Sequence, residues 1–159
     1  MQKILVPTDF QLSSLYPLKT LLSQIEPDEK VEFTFVVGYY LPDSINELLF
    51  YNPQKVINKF INREFKEGLE IILNKYAGYD VSIKYEVFTG LNYNAFVNFV
   101  EAKNFDRAYV IDDYTMQFND QYGMDFNNFL RRSSKLFDVR RIKLDQSTAQ
   151  EGIVGLFFA

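Results

Sequence analysis

The segment KILVPTDF, residues 3–10, decides the fold of this chain. Ile4, Leu5 and Val6 form a continuous apolar run, which Pro7 ends. Because both faces of such a run are apolar, it is typical of a strand that is buried on both sides, as in a parallel sheet. The segment therefore predicts a central parallel strand, followed by polar residues at the edge of the sheet.

A helical pattern follows this strand. Its apolar residues recur at the spacing of one helix face, at Leu18, Leu21, Leu22 and Ile25. Ser13 or Ser14 is expected to cap this helix. Pro17 fits only the first helical turn, and Pro27 is expected to end the helix.

Further segments predict alternating strands and helices. Strands are predicted where β-branched and aromatic residues cluster or where apolar and polar residues alternate, at residues 31–40, 81–88, 107–112 and 139–144. A long helix is expected to begin with Asn52 as its cap and Pro53 as its first residue, and to end at Gly78. A third helix is expected around residues 93–100.

A short fourth helix is expected around residues 126–130, capped by Asp125. The resulting order, βαβαβαβαβ, predicts an α/β fold with a five-stranded, mostly parallel, doubly wound sheet and helices on both faces. Residues 1–144 are expected to form a single domain. Residues 145–159 are expected to form an apolar extension that packs on this domain or on a partner subunit.

Composition excludes several classes of function. The chain has 159 residues, a formal net charge of −4, no Cys and no His. Without these two residue types, disulfides, thiolate chemistry and Ser-His-Asp machinery are excluded. The negative charge argues against nucleic acid and anionic membranes as partners. No apolar run approaches the roughly 20 residues of a membrane helix, and no signal peptide is expected, so a cytoplasmic location is predicted.

Polar residues after the predicted strands indicate a candidate ligand edge. Ligands of doubly wound sheets bind at the carboxyl ends of the strands. The residues expected at this edge, and taken as candidate binding residues, are Asp9, Val37, Gly38, Asp112 and Asp113. The segment VIDDYTMQFNDQYGMD, residues 110–125, supplies the acidic loop that follows the fourth predicted strand.

Four segments, in order, resemble those of the universal stress protein family. They are KILVPTDF at residues 3–10, FTFVVGYY at 33–40, VFTG at 87–90 and FDRAYVIDD at 105–113. The resemblance implies the α/β fold of that family, which is similar to adenine-nucleotide alpha-hydrolases. It also implies a cytoplasmic homodimer linked to stress survival, and many members of the family bind ATP through a glycine-rich loop after the fourth strand.

This chain departs from the family pattern in that loop. Gly123 is the only glycine between Gly90 and Gly152, and residues 108–130 contain four Asp but no Lys or Arg. Each added Cβ keeps the backbone away from a phosphate, and each carboxylate repels it. ATP is therefore not expected to bind, and no cofactor is predicted. Asp9 matches the family position near adenine and ribose, which leaves a nucleoside open as an alternative to a simple turn residue.

The aspartates also bear on metals and catalysis. Asp9, Asp112, Asp113 and Asp120 are expected at one edge of the sheet, and clustered carboxylates attract Mg²⁺ or Ca²⁺. Their spacing fits no EF-hand loop, so solvated loop aspartates are the favoured interpretation. No catalytic residue and no metal ligand is assigned, and the protein is not expected to be an enzyme.

A basic block lies close to the acidic loop in sequence. It consists of Arg131, Arg132, Lys135, Arg140, Arg141 and Lys143. Neutralisation of the acidic loop, an acidic partner and a solvated surface are the open explanations. In the family the fifth strand often forms the dimer edge, where Arg140, Arg141 and Lys143 would meet their symmetry copies. These residues are therefore expected to guard the edge, while the apolar extension offers another dimer contact.

The sequence thus predicts a universal-stress-protein-like, non-enzymatic protein in stress response or regulation. It is expected to act through a homodimer or a protein partner, without ATP. The alternative is a sensor that binds a nucleotide or a divalent metal at the carboxyl edge of the sheet.

Overall fold

A six-stranded sheet forms the centre of the computed structural model, which describes residues 1–144. Its strands are β1 (Gln2–Pro7), β2 (Lys30–Tyr39), β3 (Asp80–Phe88), β4 (Arg107–Ile111), β5 (Gly123–Met124) and β6 (Asp138–Ile142). Five strands are parallel in the order β3-β2-β1-β4-β6, and β5 pairs antiparallel with β2. The predicted fold class is confirmed, and the additional two-residue strand β5 is the only departure from the predicted set of strands in this part of the chain.

Helices cover both faces of the sheet. A 3-10 turn (Leu12–Leu15) leads directly into the first α-helix. The α-helices are α1 (Tyr16–Leu22), α2 (Ile45–Leu49), α3 (Pro53–Phe60), α4 (Arg63–Lys75), α5 (Tyr93–Lys103) and α6 (Asn127–Arg131). Side chains of α1, α3 and α4 share one buried cluster with Ile4 and Val6. Side chains of α5 and α6 share a second cluster with Leu5, on the opposite face. This division confirms the doubly wound arrangement.

The position of each strand explains its sequence pattern. Ile4, Leu5 and Val6 of β1 are each at most 1% exposed, because β1 has a neighbour on either side and helices on both faces. Strand β3 lies at one edge of the sheet, and its burial alternates along most of its length. Strand β6 lies at the other edge and is the most polar. Continuous apolar runs therefore mark the centre of the sheet, and alternating runs mark its edges.

The long helix expected between Asn52 and Gly78 is two helices, α3 and α4. Ile61 is extended at the end of α3, and Asn62 begins α4 as its N-cap. The Asn62 side chain accepts a hydrogen bond of 2.8 Å from the backbone N–H of Phe65. This capping interaction stabilises a new helix start, which explains the drift of the apolar stripe within the segment.

Two predicted caps are also wrong. The N-cap of α1 is Leu15, because Ser13 and Ser14 lie in the preceding 3-10 turn. The N-cap of α6 is Phe126, whereas Asp125 accepts a hydrogen bond from the backbone N–H of Asn127 at 2.9 Å. In both cases the polar side chain belongs to a turn that precedes the α-helix, so it does not occupy the N-cap position.

Among residues 1–144, no helix has the length and hydrophobicity needed to cross a membrane. The predicted apolar extension, residues 145–159, lies outside the described residues. Its assignment as a unit separate from the domain therefore stays a prediction.

Candidate functional site

The segment that follows β4 crosses the carboxyl edge of the sheet. Residues 112–122, named the β4–β5 loop here, lead from β4 to β5. Strand β5 then pairs with β2, with Met124 opposite Gly38 and Gly123 opposite Tyr39. A hydrogen bond of 2.9 Å from the Tyr40 N–H to the Tyr122 carbonyl extends this pairing. The loop therefore lies over the edge where ligands of doubly wound sheets bind.

A strained turn after β1 lies beneath this loop. Phe10 has a φ of 60°, in the left-handed region that bulky residues rarely adopt. Its side chain is fully buried, and its ring meets that of Phe65 edge-on at a centroid distance of 5.2 Å. The Phe10 N–H donates to Thr8 Oγ1 at 2.8 Å. Tertiary packing therefore fixes the turn that carries Asp9.

Asp9 binds the β4–β5 loop to the end of β1. Its Oδ2 accepts hydrogen bonds from the Tyr114 hydroxyl and, at 2.8 Å, from the Gln117 N–H. Its Oδ1 accepts a hydrogen bond of 3.0 Å from the Gln11 N–H. Asp9 is 0% exposed. This predicted ligand residue thus has three protein donors around its carboxylate.

The environment of Asp9 changes the protonation behaviour of both side chains in this contact. Burial raises the pKa of Asp9 above its ordinary value, and the hydrogen bonds from Tyr114 and Gln117 oppose this rise only in part. Burial and the neighbouring Asp9 carboxylate together raise the pKa of the Tyr114 hydroxyl. Tyr114 therefore stays a hydrogen-bond donor throughout the physiological pH range.

Other contacts fix the far side of the loop. The Gln11 side chain donates to the Gln117 carbonyl at 2.9 Å and to Asn119 Oδ1 at 3.1 Å. The Asn119 side chain donates to the Phe60 carbonyl at 2.8 Å. The ring of Phe118 packs edge-on against the ring of Phe60, with centroids 5.9 Å apart. The loop is thus attached both to the turn after β1 and to the end of α3.

Val37 and Gly38 have packing roles at the end of β2. Val37 is fully buried in the core. A Cβ on Gly38 would lie 2.2 Å from the backbone oxygen of Met124, well inside van der Waals contact. The absence of a side chain at Gly38 therefore allows the backbone of β5 to approach β2. The group packed against this glycine is a backbone segment of the same chain, in place of a ligand.

Asp112 and Asp113 connect β4 with β6 and α6. Asp112 Oδ1 lies 2.9 Å from Arg141 Nε and 3.6 Å from Arg131 Nε. Asp113 Oδ1 accepts a hydrogen bond of 2.7 Å from the Leu144 N–H. Arg131 and Arg141 of the basic block thus pair with Asp112 within one chain, and neutralisation of the other loop aspartates stays a prediction.

Little space remains where the strands β1 and β4 end. A cavity of about 10 Å³ lies there, lined by Val6, Pro7, Ser14, Tyr109, Ile111, Tyr114, Met116 and Asn127. Such a volume holds roughly one water molecule, and Asn127 Oδ1 is a buried acceptor with no partner among residues 1–144. A nucleobase, a ribose or a phosphate does not fit there with the loop in place.

The aspartates do not form a metal-binding group in the described part of the chain. No set of three or more His, Cys, Asp or Glu side chains in residues 1–144 is placed to hold a metal ion. Asp120, the fourth aspartate considered, accepts a hydrogen bond of 2.9 Å from the Tyr122 N–H. The five candidate binding residues thus lie at or beside the expected edge with protein partners, and their role towards a ligand stays a prediction.

Met116 and Phe118, which fill the edge together with Tyr114, were not singled out from the sequence. Tyr114, Met116 and Phe118 are half-buried, and the residues between them are exposed. The alternation in YTMQFN, residues 114–119, is the pattern that indicates an extended segment with one apolar face. That signal predicts a loop whose apolar face packs onto the domain. The aspartates alone favour a solvated acidic loop instead.

Comparison with known proteins gives relatives at the level of structure. No family model and no curated protein matches the chain. The hypothetical protein MJ0577 has a solved structure that matches with a TM-score of 0.54 and 19% identity over 91% of this chain and 96% of that one. The chain therefore shares the α/β fold of that protein.

Two other solved structures are similar over most of both chains. A universal stress protein in complex with cAMP matches at a TM-score of 0.47 and 18% identity, over 91% of this chain and 98% of that one. The universal stress protein UspA from Lactobacillus plantarum matches at a TM-score of 0.47 and 11% identity, over 91% of this chain and 97% of that one. At identities this low, the ligand of one protein does not transfer to the other.

Proposed function

We propose that this protein is a non-enzymatic, universal-stress-protein-like regulatory protein that does not bind ATP and acts through protein contacts. The observation that carries the proposal is the β4–β5 loop, which binds Asp9 and leaves a cavity of about 10 Å³ at the ends of β1 and β4. A cytoplasmic role in stress response is part of the proposal through the resemblance in sequence and fold.

The charge of the loop supports the same proposal. It contributes Asp112, Asp113 and Asp120, and it contains no Lys or Arg. Asp112 is paired with Arg131 and Arg141, whereas Asp113 and Asp120 form no ion pair within residues 1–144. Two like charges about 4 Å apart repel by roughly 4 kcal/mol at an effective dielectric constant near 20, so a triphosphate near these two carboxylates meets an unfavourable field. The alternative function, a sensor of a nucleotide or a divalent metal at this edge, receives less support because the loop takes the space of the ligand.

Nucleotides are expected to leave the thermal stability of the 159-residue chain unchanged. The measurement is a thermal-shift series with Mg-ATP, AMP, cAMP, Mg²⁺ alone and Ca²⁺ alone. A ligand present at 100 times its Kd adds about 2.7 kcal/mol to stability, which is easily detected in the melting temperature. A clear upward shift with Mg-ATP contradicts the proposal, and a shift with AMP or a metal alone supports the sensor function.

The edge strand β6 supports a homodimer. No strand among residues 1–144 pairs with the outer edge of β6, so its backbone groups are available to a second chain. Arg140 lies 3.2 Å from Asp138, so opposite charges follow one another along this edge. Because Arg140 and Arg141 each pair with an aspartate of their own chain, they repel their symmetry copies less than the sequence alone indicates when two β6 edges pair about a twofold axis.

Light scattering is therefore expected to give the mass of two chains. Arg140→Glu places two acidic residues on the edge and is expected to shift the protein towards single chains. Arg63→Glu, on the exposed side of α4, is the matched charge reversal and is expected to leave the dimer intact. A single-chain mass for the unmodified protein, or equal effects of both substitutions, contradicts dimerisation through β6.

A further inference from the structure

Large apolar side chains are exposed around α2. In the described residues 1–144, eight of the eleven exposed large apolar side chains belong to this region: Tyr40, Leu41, Ile45, Leu48, Leu49, Phe50, Leu91 and Tyr122. These eight residues are named the α2 surface here. Helix α2 has no buried residue, and Ile45, Leu49 and Phe50 are each 74% exposed. Apolar side chains concentrated in this way indicate a surface that another segment covers.

Two depressions shape this surface. One, of about 270 Å³, lies between α2 and α3 and is lined by Phe50, Tyr51, Lys55 and Tyr122, among others. The second, of about 670 Å³, is lined by Tyr40, Leu41, Leu91 and their neighbours. Both lie beyond the end of β2, apart from the filled cavity at β1 and β4. They have the size to admit the side chains of a short apolar segment.

The chain itself contains a segment of matching chemistry. Residues 151–159 read EGIVGLFFA, and six of these nine residues are Ile, Val, Leu, Phe or Ala. Residues 145–159 include Asp145 and Glu151 but no Lys or Arg. The groove beside α3 carries Lys55 and Lys59, and neither forms an ion pair within residues 1–144. The apolar and charged residues of the segment and of the groove are therefore complementary.

The described part of the chain ends at the same edge of the sheet as the α2 surface. Leu144 is held at the carboxyl edge by its hydrogen bond to Asp113. The α2 surface follows β2 at that edge, and the strand order places β6 three positions from β2. At about 4.8 Å per strand this separation is roughly 14 Å. Residues 145–150 span about 20 Å when extended, so residues 151–159 can reach the surface within one chain.

We propose that residues 151–159 bind the α2 surface of the same chain and cover its exposed apolar side chains. Attachment through six residues gives the segment a high effective concentration at this surface, which favours contact within one chain over contact between chains. The surface shares Tyr122 with the β4–β5 loop, but none of its residues lines the cavity at the ends of β1 and β4 or belongs to β6, so this inference does not depend on the proposed function. A partner that needs the α2 surface must displace the segment.

Photo-cross-linking of the full chain tests this proposal. Phe157→p-benzoylphenylalanine is prepared in ¹⁵N-labelled and unlabelled form, the two are mixed before illumination, and cross-linked peptides are identified by mass spectrometry. The expected result is a cross-link between residue 157 and residues 40–51 or 122, with both peptides from the same isotopic form. Cross-links elsewhere on the domain, or peptides of mixed isotopic form, overturn the proposal.

A pair of matched substitutions distinguishes a specific contact from non-specific hydrophobic association. Leu49→Asp places a charge on the α2 surface, whereas Ile71→Asp places one on α4, where Ile71 is 43% exposed. Leu49→Asp is expected to lower the cross-link yield at residue 157 by about tenfold or more, the factor that corresponds to burial of one large apolar side chain. Ile71→Asp is expected to leave the yield unchanged. Equal yields in the two variants contradict the proposal.

Discussion

Asp9→Ala is expected to lower the free energy of unfolding by about 2–4 kcal/mol. The substitution removes the acceptor of the Tyr114 hydroxyl and of the Gln117 and Gln11 N–H groups, and a buried donor left without a partner costs about 1–3 kcal/mol. Loss of the buried charge offsets part of this cost. Urea unfolding measures the change. Asp43→Ala is the control, because Asp43 is exposed and forms no hydrogen bond within residues 1–144, and it is expected to change stability by less than about 0.5 kcal/mol.

The pH dependence of stability separates the two contributions of Asp9. Since burial raises the pKa of folded Asp9 above its ordinary value of 3.8, the folded state binds a proton more tightly than the unfolded state. This contribution to stability is complete below about pH 3.8 and is lost as the pH rises through the folded pKa. Asp9→Asn cannot ionise. The stability of Asp9→Asn minus that of the unmodified protein is therefore expected to increase with rising pH, starting near pH 4.

Two results would contradict this account of Asp9. One is an Asp9→Ala protein as stable as Asp43→Ala, which would mean that the loop does not depend on the carboxylate. The other is a stability difference for Asp9→Asn that does not change between pH 4 and 7, which would mean that burial does not alter the ionisation of Asp9. Limited proteolysis within residues 112–122 adds a second readout, since release of the loop exposes its backbone.

Gly38→Ala is expected to lower the free energy of unfolding by about 1–3 kcal/mol, the range observed for overpacked cores. The new Cβ would lie 2.2 Å from the Met124 backbone oxygen and 3.0 Å from Cδ1 of Phe126. Neither the β5 backbone nor the fully packed ring can move aside without loss of the β2–β5 pairing. The substitution therefore tests whether this glycine is needed for the approach of β5.

Gly78→Ala is the matched control for Gly38→Ala. A Cβ on Gly78 meets no atom within 4 Å, so the substitution introduces no clash. It is expected to leave stability unchanged or to raise it by about 0.4–1 kcal/mol, because alanine reduces the conformational entropy of the unfolded chain. If both alanine variants are equally stable, the close approach of β5 to β2 does not constrain residue 38.

The succession of the five parallel strands along the chain could be predicted from the sequence, because each of these strands has a local pattern of apolar and polar residues. The apolar run at Ile4–Val6 and the alternation at residues 81–88 report directly on burial at the centre and at the edge of the sheet. The break at Asn62 was missed, because an asparagine between two apolar helical segments reads equally well as a solvent-exposed helical residue. The two-residue strand β5 is too short to leave a periodic signal.

The candidate site could be predicted only in part. The sequence locates Asp9 and Asp112 at or near the carboxyl edge, since each follows a strand. It does not say whether such a carboxylate faces a ligand or a segment of its own chain, because both arrangements need a polar side chain at that position. The distinction depends on contacts between residues about a hundred positions apart, such as Asp9 with Tyr114.

The internal closure of the sheet edge has a consequence for protein engineering. Introducing glycines one at a time at residues 112–126 removes at most part of the contacts with Asp9, Gln11 and Phe60, so each single change removes packing without opening a cleft. A nucleotide-binding version of this scaffold therefore calls for the exchange of the whole segment between β4 and α6 for a glycine-rich graft. The graft would also have to supply new partners for Arg131 and Arg141, which Asp112 now neutralises.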